Sequence, residues 1–139
     1  RTYDFAVDRI IFEFTEVEQV HDHGHLREIV QHYQQRGFLT AFDDFGSGYS
    51  GLNLLADVAT DLVKLDMALV RGLPADPRRR KILRHVVSLC ADLGVELIAE
   101  GVETRDELRF LQDEGIDLFQ GYFLARPAFE ALPEIRWPE

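Results

Sequence analysis

Five short apolar runs recur along the chain and are separated by segments with a different periodicity. They are Arg9–Phe14, Phe38–Phe42, Leu62–Leu65, Val95–Ala99 and Leu118–Phe123. The runs are rich in Ile, Val, Leu and Phe, which is typical of strands that are buried on both faces. The pattern therefore predicts five short buried strands.

The segments between these runs have a period near 3.6, as expected for one face of a helix. The first such segment is marked by Leu26, Ile29, Val30 and Tyr33 and ends at Gly37. A long helix is predicted between a cap at Asp76 and a stop at Gly94. A third begins at a capping box formed by Thr104 and Glu107 and ends at Gly115. Strands that alternate with helices predict an α/β fold with a parallel sheet.

Polar residues follow the predicted strands at their carboxyl ends. They are Glu13 and Glu16, Asp43 and Asp44, Lys64 and Asp66, Glu100 and Glu103, and Gln120 and Tyr122. In parallel α/β folds these ends meet at the edge where ligands bind, whether the sheet is open or closed into a barrel. Several carboxylates at one edge repel one another unless divalent cations neutralise them, and hard oxygen ligands favour Mg²⁺ or Mn²⁺ over Zn²⁺. Any single acid could instead cap a helix or form a loop salt bridge, but five strands that agree on one edge favour a metal site.

Lys64 lies inside the apolar run Leu62–Leu65 and strengthens this interpretation. An isolated ammonium on a buried strand is strongly disfavoured, so Lys64 must have an anionic partner. Beside a metal-bound water, the lysine could donate a hydrogen bond and orient that water as a nucleophile.

Charge and composition exclude several other classes of protein. The chain has 139 residues, 46% of them apolar, which suits one packed domain or a piece of a larger one. With 15 basic and 25 acidic residues its formal charge is −10, which argues against a surface for duplex nucleic acid. A single cysteine, Cys90, cannot form an internal disulfide. No apolar run approaches the roughly 20 residues of a membrane-spanning helix. No signal-peptide pattern opens the chain, and a cytoplasmic location is predicted.

Five motifs stand at the strand ends. They are Glu13-Phe14-Thr15-Glu16, Asp43-Asp44-Phe45-Gly46-Ser47-Gly48-Tyr49-Ser50, Lys64-Leu65-Asp66, Ala99-Glu100-Gly101-Val102-Glu103-Thr104 and Gln120-Gly121-Tyr122. In order and spacing these motifs resemble those of the EAL-domain cyclic-di-GMP phosphodiesterases of bacterial signalling. The resemblance implies that residues 1–139 are the C-terminal portion of a single EAL domain. It also implies an α/β fold, a partial TIM-like (β/α) barrel with about five parallel strands and intervening helices.

The resemblance further implies metal-dependent hydrolysis of cyclic di-GMP to linear pGpG with two Mg²⁺ or Mn²⁺ ions. Glu13 and Asp43 resemble ligands of one metal, and Asp43 the bridge to a second metal held by Asp44 and Glu100. The resemblance also implies the remaining catalytic and binding roles. Lys64 and Gln120 would orient the attacking water, and Glu100 is a general-base candidate. Glu16 and Glu103 would support the loop of Asp43 and Asp44, and the nucleotide would be contacted by Tyr122, Arg126 and Pro127.

The family pattern also includes a Glu-Ala-Leu glutamate and an asparagine, both expected upstream of Glu13, so the chain is predicted to lack an N-terminal half of the domain. A homodimer through loop 43–50 and the helix after it is expected by resemblance. The alternative function is a domain of the same fold that binds cyclic di-GMP, or docks a protein, without hydrolysis. Degenerate relatives usually lose the acids or the lysine of the motifs, and their presence here favours the enzyme.

We interpret a histidine-rich run and a basic run as structural features. The run from His21 to His25 is histidine-rich, but no separated histidines complete a metal site, and we interpret it as the start of a helix. The basic run Arg78–Lys81 lies at the start of the long helix, where cations are slightly unfavourable, and is predicted to be a solvated face.

Overall fold

The computed structural model of the chain describes residues 5–15, 23–47, 51–135 and 137–138. Its strands form one parallel sheet whose order follows the chain: β1 (Ile11–Thr15), β2 (Leu39–Phe45), β3 (Leu62–Leu65), β4 (Glu96–Ala99) and β5 (Leu118–Phe119). A doubly wound sheet reverses its strand order at a switch point, whereas a barrel adds each strand beside the last. The sequential order is therefore that of a (β/α) barrel, and the predicted five-stranded parallel α/β fold is confirmed.

Strand β3 has its predicted bounds, β1 and β4 differ from theirs by one or two residues, and the largest differences are at the carboxyl ends of β2 and β5. Strand β2 continues to Phe45, three residues beyond the predicted end at Phe42. Strand β5 stops at Phe119, because the next residues turn around Val102. The Val102 N–H donates to the carbonyl of Gln120, and the Phe123 N–H donates back to the carbonyl of Val102. A Cβ at Gly121 would lie 2.1 Å from the Val102 carbonyl oxygen, so only glycine fits this turn.

Five α-helices connect the strands within the described residues: α1 (His23–Gln34), α2 (Gly51–Asp57), α3 (Met67–Val70), α4 (Pro77–Leu93) and α5 (Arg105–Asp113). Short 3₁₀ turns occupy Val7–Arg9 and Leu73–Ala75. The predicted caps are confirmed: the Asp76 carboxylate accepts from the N–H groups of Arg78 and Arg79, and Gly94 ends α4 in the left-handed conformation. Thr104 and Glu107 form the predicted capping box of α5.

The histidine-rich and basic runs have different outcomes. Helix α1 begins at His23, as the helical interpretation predicts, while His21 and Asp22 lie outside the described residues. The basic run is not only a solvated face, because the Arg79 guanidinium donates to the carbonyls of Ala68 and Arg71. It thereby ties the start of α4 to α3. No helix among the described residues is both long and apolar enough to cross a membrane.

Strand residues alternate between two environments, because successive side chains point to opposite faces of a sheet. Phe42, Val63 and Leu65 belong to the apolar core that also contains helix residues such as Leu26, Val30, Leu83 and Leu108. Cys90 is fully buried in this core, and burial raises the pKa of its thiol to about 11, as expected for a structural cysteine. The residues between the core positions face the other way, and they include Glu13, Asp43 and Lys64.

Candidate metal centre

Lys64 is the centre of the site, and its ammonium contacts three carboxylates from three different parts of the sheet. Its Nζ lies 3.0 Å from Glu13 Oε2, 3.0 Å from Asp43 Oδ1 and 2.9 Å from Glu100 Oε1. The lysine side chain is only 7% exposed. The predicted anionic partners of Lys64 are therefore present, and they come from β1, β2 and the residue after β4.

A bulge in β2 brings Asp44 to the same site as its neighbour Asp43. Between Phe42 and Phe45 the strand advances three residues while β3 advances two, from Val63 to Leu65. Asp44 has a positive φ of 58°, in the left-handed region where Asp and Asn are tolerated better than most residues. In a regular strand adjacent side chains would point to opposite faces. Because of the bulge, both carboxylates lie close together at the same edge of the sheet.

Carboxylate oxygens of Asp43, Asp44 and Glu100 all lie within 4.8 Å of one another. Together with Glu13 they form a group of four acids, three of which contact the Lys64 ammonium. One ammonium cannot balance the three carboxylates that it contacts, and the donors are all hard oxygens. The donor set therefore fits divalent cations of the Mg²⁺ and Mn²⁺ type.

The pKa shifts at this cluster follow from burial and charge. Burial disfavours the charged form of Lys64, but its hydrogen bonds with Glu100, Asp43 and Glu13 outweigh burial and raise its pKa above the ordinary value. Burial raises the pKa of Glu100; Lys64 opposes this shift, and the charges of Asp43 and Glu13 add to it. Lys64 is therefore an ammonium at neutral pH and acts as a hydrogen-bond donor, not as a base.

A cavity adjoins the acidic cluster and is lined by predicted binding residues. Its lining includes Glu100, Glu103, Gln120, Tyr122, Arg126 and Pro127. The Arg126 guanidinium carbon lies 4.9 Å from the centre of the Tyr122 ring, so a cation–π contact stabilises one wall. Tyr122 is exposed, and its ring is open to a ligand in the cavity. The structure thus places the predicted metal ligands and the predicted nucleotide contacts side by side.

Glu103 and Glu16 are predicted to support the loop of Asp43 and Asp44. In the structure the Glu103 carboxylate pairs with Arg71, at 2.5 Å from its Nη2. Glu16 lies outside the described residues, as do residues 48–50 of the loop. The supporting roles of both acids stay predictions.

Two contacts at the site cannot be predicted from the sequence. Arg71 follows α3 in a segment with no recognisable motif, so its partner Glu103 becomes apparent only in three dimensions. The Glu107 carboxylate was recognised as half of a capping box, but it also accepts from the N–H of Gly72, far along the chain. A helix-start motif accounts for local hydrogen bonds alone, and cannot show this second partner.

Comparison with known proteins agrees with this geometry. A family model described as the EAL domain matches residues 2–127. A cyclic di-GMP phosphodiesterase of Pseudomonas aeruginosa is 34% identical over 134 residues, which cover 96% of this chain and 22% of that protein. The crystal structure of a standalone versatile EAL protein from Vibrio cholerae in its c-di-GMP-bound form superposes with a TM-score of 0.91 at 49% identity, covering 95% of this chain and 56% of that one.

A second solved structure combines a metal and a nucleotide. The BlrP1 protein of Klebsiella pneumoniae, in a complex with manganese and cyclic di-GMP, matches with a TM-score of 0.87 and 39% identity. That match covers 94% of this chain and 33% of the solved chain. The 139 residues thus span between about a fifth and slightly more than half of the length of these three proteins.

Proposed function

The chain belongs to the EAL domain family, and from this premise we propose that it carries most of the catalytic groups of a phosphodiesterase that hydrolyses cyclic di-GMP to linear pGpG. The observation that carries the proposal is the cluster of Glu13, Asp43, Asp44 and Glu100 around Lys64. An acidic protein with a formal charge of −10 can approach an anionic phosphodiester only through cations, and this cluster is built to hold them. The named activity of the Pseudomonas relative supports the same reaction.

Two divalent ions, Mg²⁺ or Mn²⁺, are proposed as cofactors. Glu13 and Asp43 would hold one ion, Asp43, Asp44 and Glu100 the other, with Asp43 between them. When bound, such ions polarise the phosphoryl oxygens and lower the pKa of a coordinated water. Manganese in the matching Klebsiella complex supports this choice of cofactor.

The protein side chains then have separate tasks. Lys64 stays protonated, so it donates a hydrogen bond that orients the attacking water or stabilises charge on the phosphate. Glu100 lies 2.9 Å from Lys64 and is a carboxylate that can accept a proton from that water. Gln120 lines the adjoining cavity with Glu100, where its amide could support the water. Tyr122, Arg126 and Pro127 would contact the nucleotide from the cavity wall.

Two proposals on assembly and location rest on the resemblance. A homodimer would form through loop 43–50 and α2, and the enzyme would work in the cytoplasm. The exposed Leu52 on α2 gives such an interface an apolar contact.

The test incubates cyclic di-GMP with a complete EAL domain that contains these 139 residues, in Mg²⁺ or Mn²⁺. Chromatography then separates cyclic di-GMP from pGpG. We expect conversion to pGpG by the unchanged domain and a loss of about 100-fold or more for Asp43→Asn, which keeps the side-chain size but removes a metal-binding charge. Asp117→Asn is the matched control, because Asp117 is exposed and directly precedes β5. It therefore lies at the amino end of its strand, whereas the acids of the site lie toward the carboxyl ends. A domain that binds cyclic di-GMP tightly but never converts it would instead be a receptor.

A further inference from the structure

Helix α3 touches both of the loops that carry the acids of the metal centre. In the loop after β2, a Cβ added to Gly46 would lie 2.2 Å from Leu69 Cδ1. In the loop after β4, a Cβ added to Gly101 would lie 2.4 Å from Met67 Cβ. Gly46 is two residues from Asp44, and Gly101 directly follows Glu100. The short helix therefore separates the two acidic loops and contacts each through a glycine.

The segment that follows α3 is bound at two points, to the loop after β4 and to the first turn of α5. Arg71 Nη2 lies 2.5 Å from Glu103 Oε1. Next to it, the Gly72 N–H donates to Glu107 Oε1 at 3.0 Å, while the other carboxylate oxygen accepts from the N–H groups of Glu103 and Thr104, both at 3.1 Å. Glu107 is buried, and Arg71 is half exposed. We call these contacts the 71–107 clasp.

The clasp is only a few residues from Glu100, one of the proposed metal ligands. Only Gly101 and Val102 stand between Glu100 and Glu103, and Val102 is fully buried and bonded to the backbone of Gln120 and Phe123. Glu100 and Glu103 are joined by a short segment with little freedom of its own, so a change in how Glu103 is held reaches the backbone at Glu100. Glu107 accepts from the N–H groups of Glu103 and Thr104, and Arg71 holds the Glu103 carboxylate.

We infer that Arg71 is a positioning residue of the metal centre, which holds Glu100 in place through Glu103. The inference deepens the proposed function and rests on it for its kinetic consequence, but its structural consequence is independent of turnover. The guanidinium touches no group of the Lys64 cluster in the contacts of the described residues. Its effect on the metal centre must therefore pass through the loop.

Metal affinity distinguishes positioning from simple electrostatics. Removal of a cation near an acidic site strengthens the binding of Mn²⁺ through charge alone. Removal of a positioning contact weakens Mn²⁺ binding, because the carboxylate of Glu100 is no longer held in the geometry that the ion requires. The two mechanisms predict opposite signs for the same substitution.

The experiment compares Arg71→Ala, Arg71→Lys and Arg84→Ala in a complete EAL domain that contains this chain. Arg84→Ala is the control, since it breaks another Arg–Glu pair whose arginine is similarly exposed, with Arg84 Nε 2.7 Å from Glu114 Oε1. Calorimetric titration with Mn²⁺, kcat and KM for cyclic di-GMP, and thermal unfolding are measured for each. Both arginine side chains are more than half exposed, where solvent weakens an ion pair, so all three variants should unfold within about 2 °C of the parent.

We expect Arg71→Ala to bind Mn²⁺ about 3- to 5-fold more weakly and to lose about 3- to 5-fold in kcat, with KM for the nucleotide nearly unchanged. Arg71→Lys should recover part of both losses, because its ammonium can reach Glu103, and Arg84→Ala should match the parent. Unchanged or tighter Mn²⁺ binding by Arg71→Ala would overturn the inference, as would an effect confined to KM, which would make Arg71 a substrate contact. If the parent domain shows no hydrolysis, the proposed function fails while the Mn²⁺ comparison still decides the role of Arg71.

Discussion

At the scale of single residues, the site depends on one buried cation among acids. Lys64 contacts Glu13, Asp43 and Glu100, and these acids also lie close to one another. A buried charge without a partner is strongly destabilising, whereas the net contribution of a buried pair to stability is small. We therefore expect the lysine to have two tasks: it reduces the repulsion of the acids in the absence of metal, and in the proposed mechanism it donates a hydrogen bond.

Replacement of Lys64 separates these two tasks. Lys64→Met keeps the aliphatic length but removes the ammonium, so the metal-free domain should lose about 3 kcal/mol of unfolding free energy. Added Mn²⁺ should restore much of this stability because it neutralises the same acids, while turnover should remain roughly 10²–10⁴-fold below the parent. Urea unfolding with and without Mn²⁺ and an assay of pGpG release give both quantities. Lys81→Met, at an exposed position of α4, is the control; a similar loss in that variant would contradict the assignment.

The buried Glu107 carboxylate predicts a dependence of stability on pH. Burial disfavours its charged form, but hydrogen bonds from the N–H groups of Gly72, Glu103 and Thr104 outweigh burial and hold its pKa below the ordinary value of 4.5. Because the folded pKa is depressed, the stabilisation is complete above pH 4.5 and is lost as the pH falls through the folded pKa. Glu107→Gln cannot titrate, so its unfolding free energy should fall less than that of the parent between about pH 5 and pH 3. Parallel pH profiles for the two proteins would disprove this contribution.

At the scale of elements, the acidic loops depend on close backbone packing against α3. Gly101 has a φ of 66° and no room for a Cβ beside Met67, whereas Gly94, with a φ of 71°, has nothing within 4 Å of its Cβ position. The two glycines share a left-handed conformation and differ in their surroundings. They therefore separate the cost of conformation from the cost of contact.

Alanine substitutions measure this difference. Gly94→Ala should cost about 1 kcal/mol of unfolding free energy, the usual cost of a left-handed conformation for a residue with a Cβ. Gly101→Ala should cost about 1–3 kcal/mol more, because Met67 must move, and it should also weaken Mn²⁺ binding through the adjacent Glu100. Chemical denaturation and metal titration test both statements. Equal costs for the two variants would show that the packing of α3 against the loop is loose.

Much of the fold could be predicted from the sequence, because strand burial and helix periodicity are local properties. The Asp76 cap, the Gly94 stop and the capping box of α5 are local too, and the structure contains all of them. That the acids and Lys64 of the candidate site lie together could be predicted, because strand ends in a parallel sheet converge. The bulge at Asp43 and Asp44 could not, since two adjacent acids do not reveal which way each one points. Nor could the pair of Arg71 and Glu103, which depends on the position of α3 beside another loop.

At the scale of the whole molecule, each outer strand of the sheet has one open edge within the described residues. Within the described residues β1 pairs only with β2, and β5 only with β4. Strand edges with unpaired N–H and C=O groups invite further strands. Large apolar side chains are also exposed, namely Phe5, Ile11, Phe129, Leu132, Ile135 and Trp137. The face that carries the acids of the metal centre is part of this open sheet.

The isolated 139 residues should therefore associate in solution. Leu132 is 97% exposed and Phe129 is 90% exposed, while β1 offers an unpaired edge, so burial of these groups against a second copy is favourable. Light scattering over a range of concentrations should give a mass above the 16.0 kDa of one chain.

A complete EAL domain that contains the chain is the reference for activity, and the isolated chain should hydrolyse cyclic di-GMP at a negligible rate even in saturating Mn²⁺. The physical reason is that an open sheet leaves one side of the acidic cluster to solvent, where water weakens each electrostatic contact that the reaction uses. The double variant Phe129→Ser, Leu132→Ser should reduce the association if the apolar segment drives it, and leave it unchanged if the open edge of β1 does. A folded monomer at every concentration, with turnover equal to that of the reference domain, would contradict both expectations.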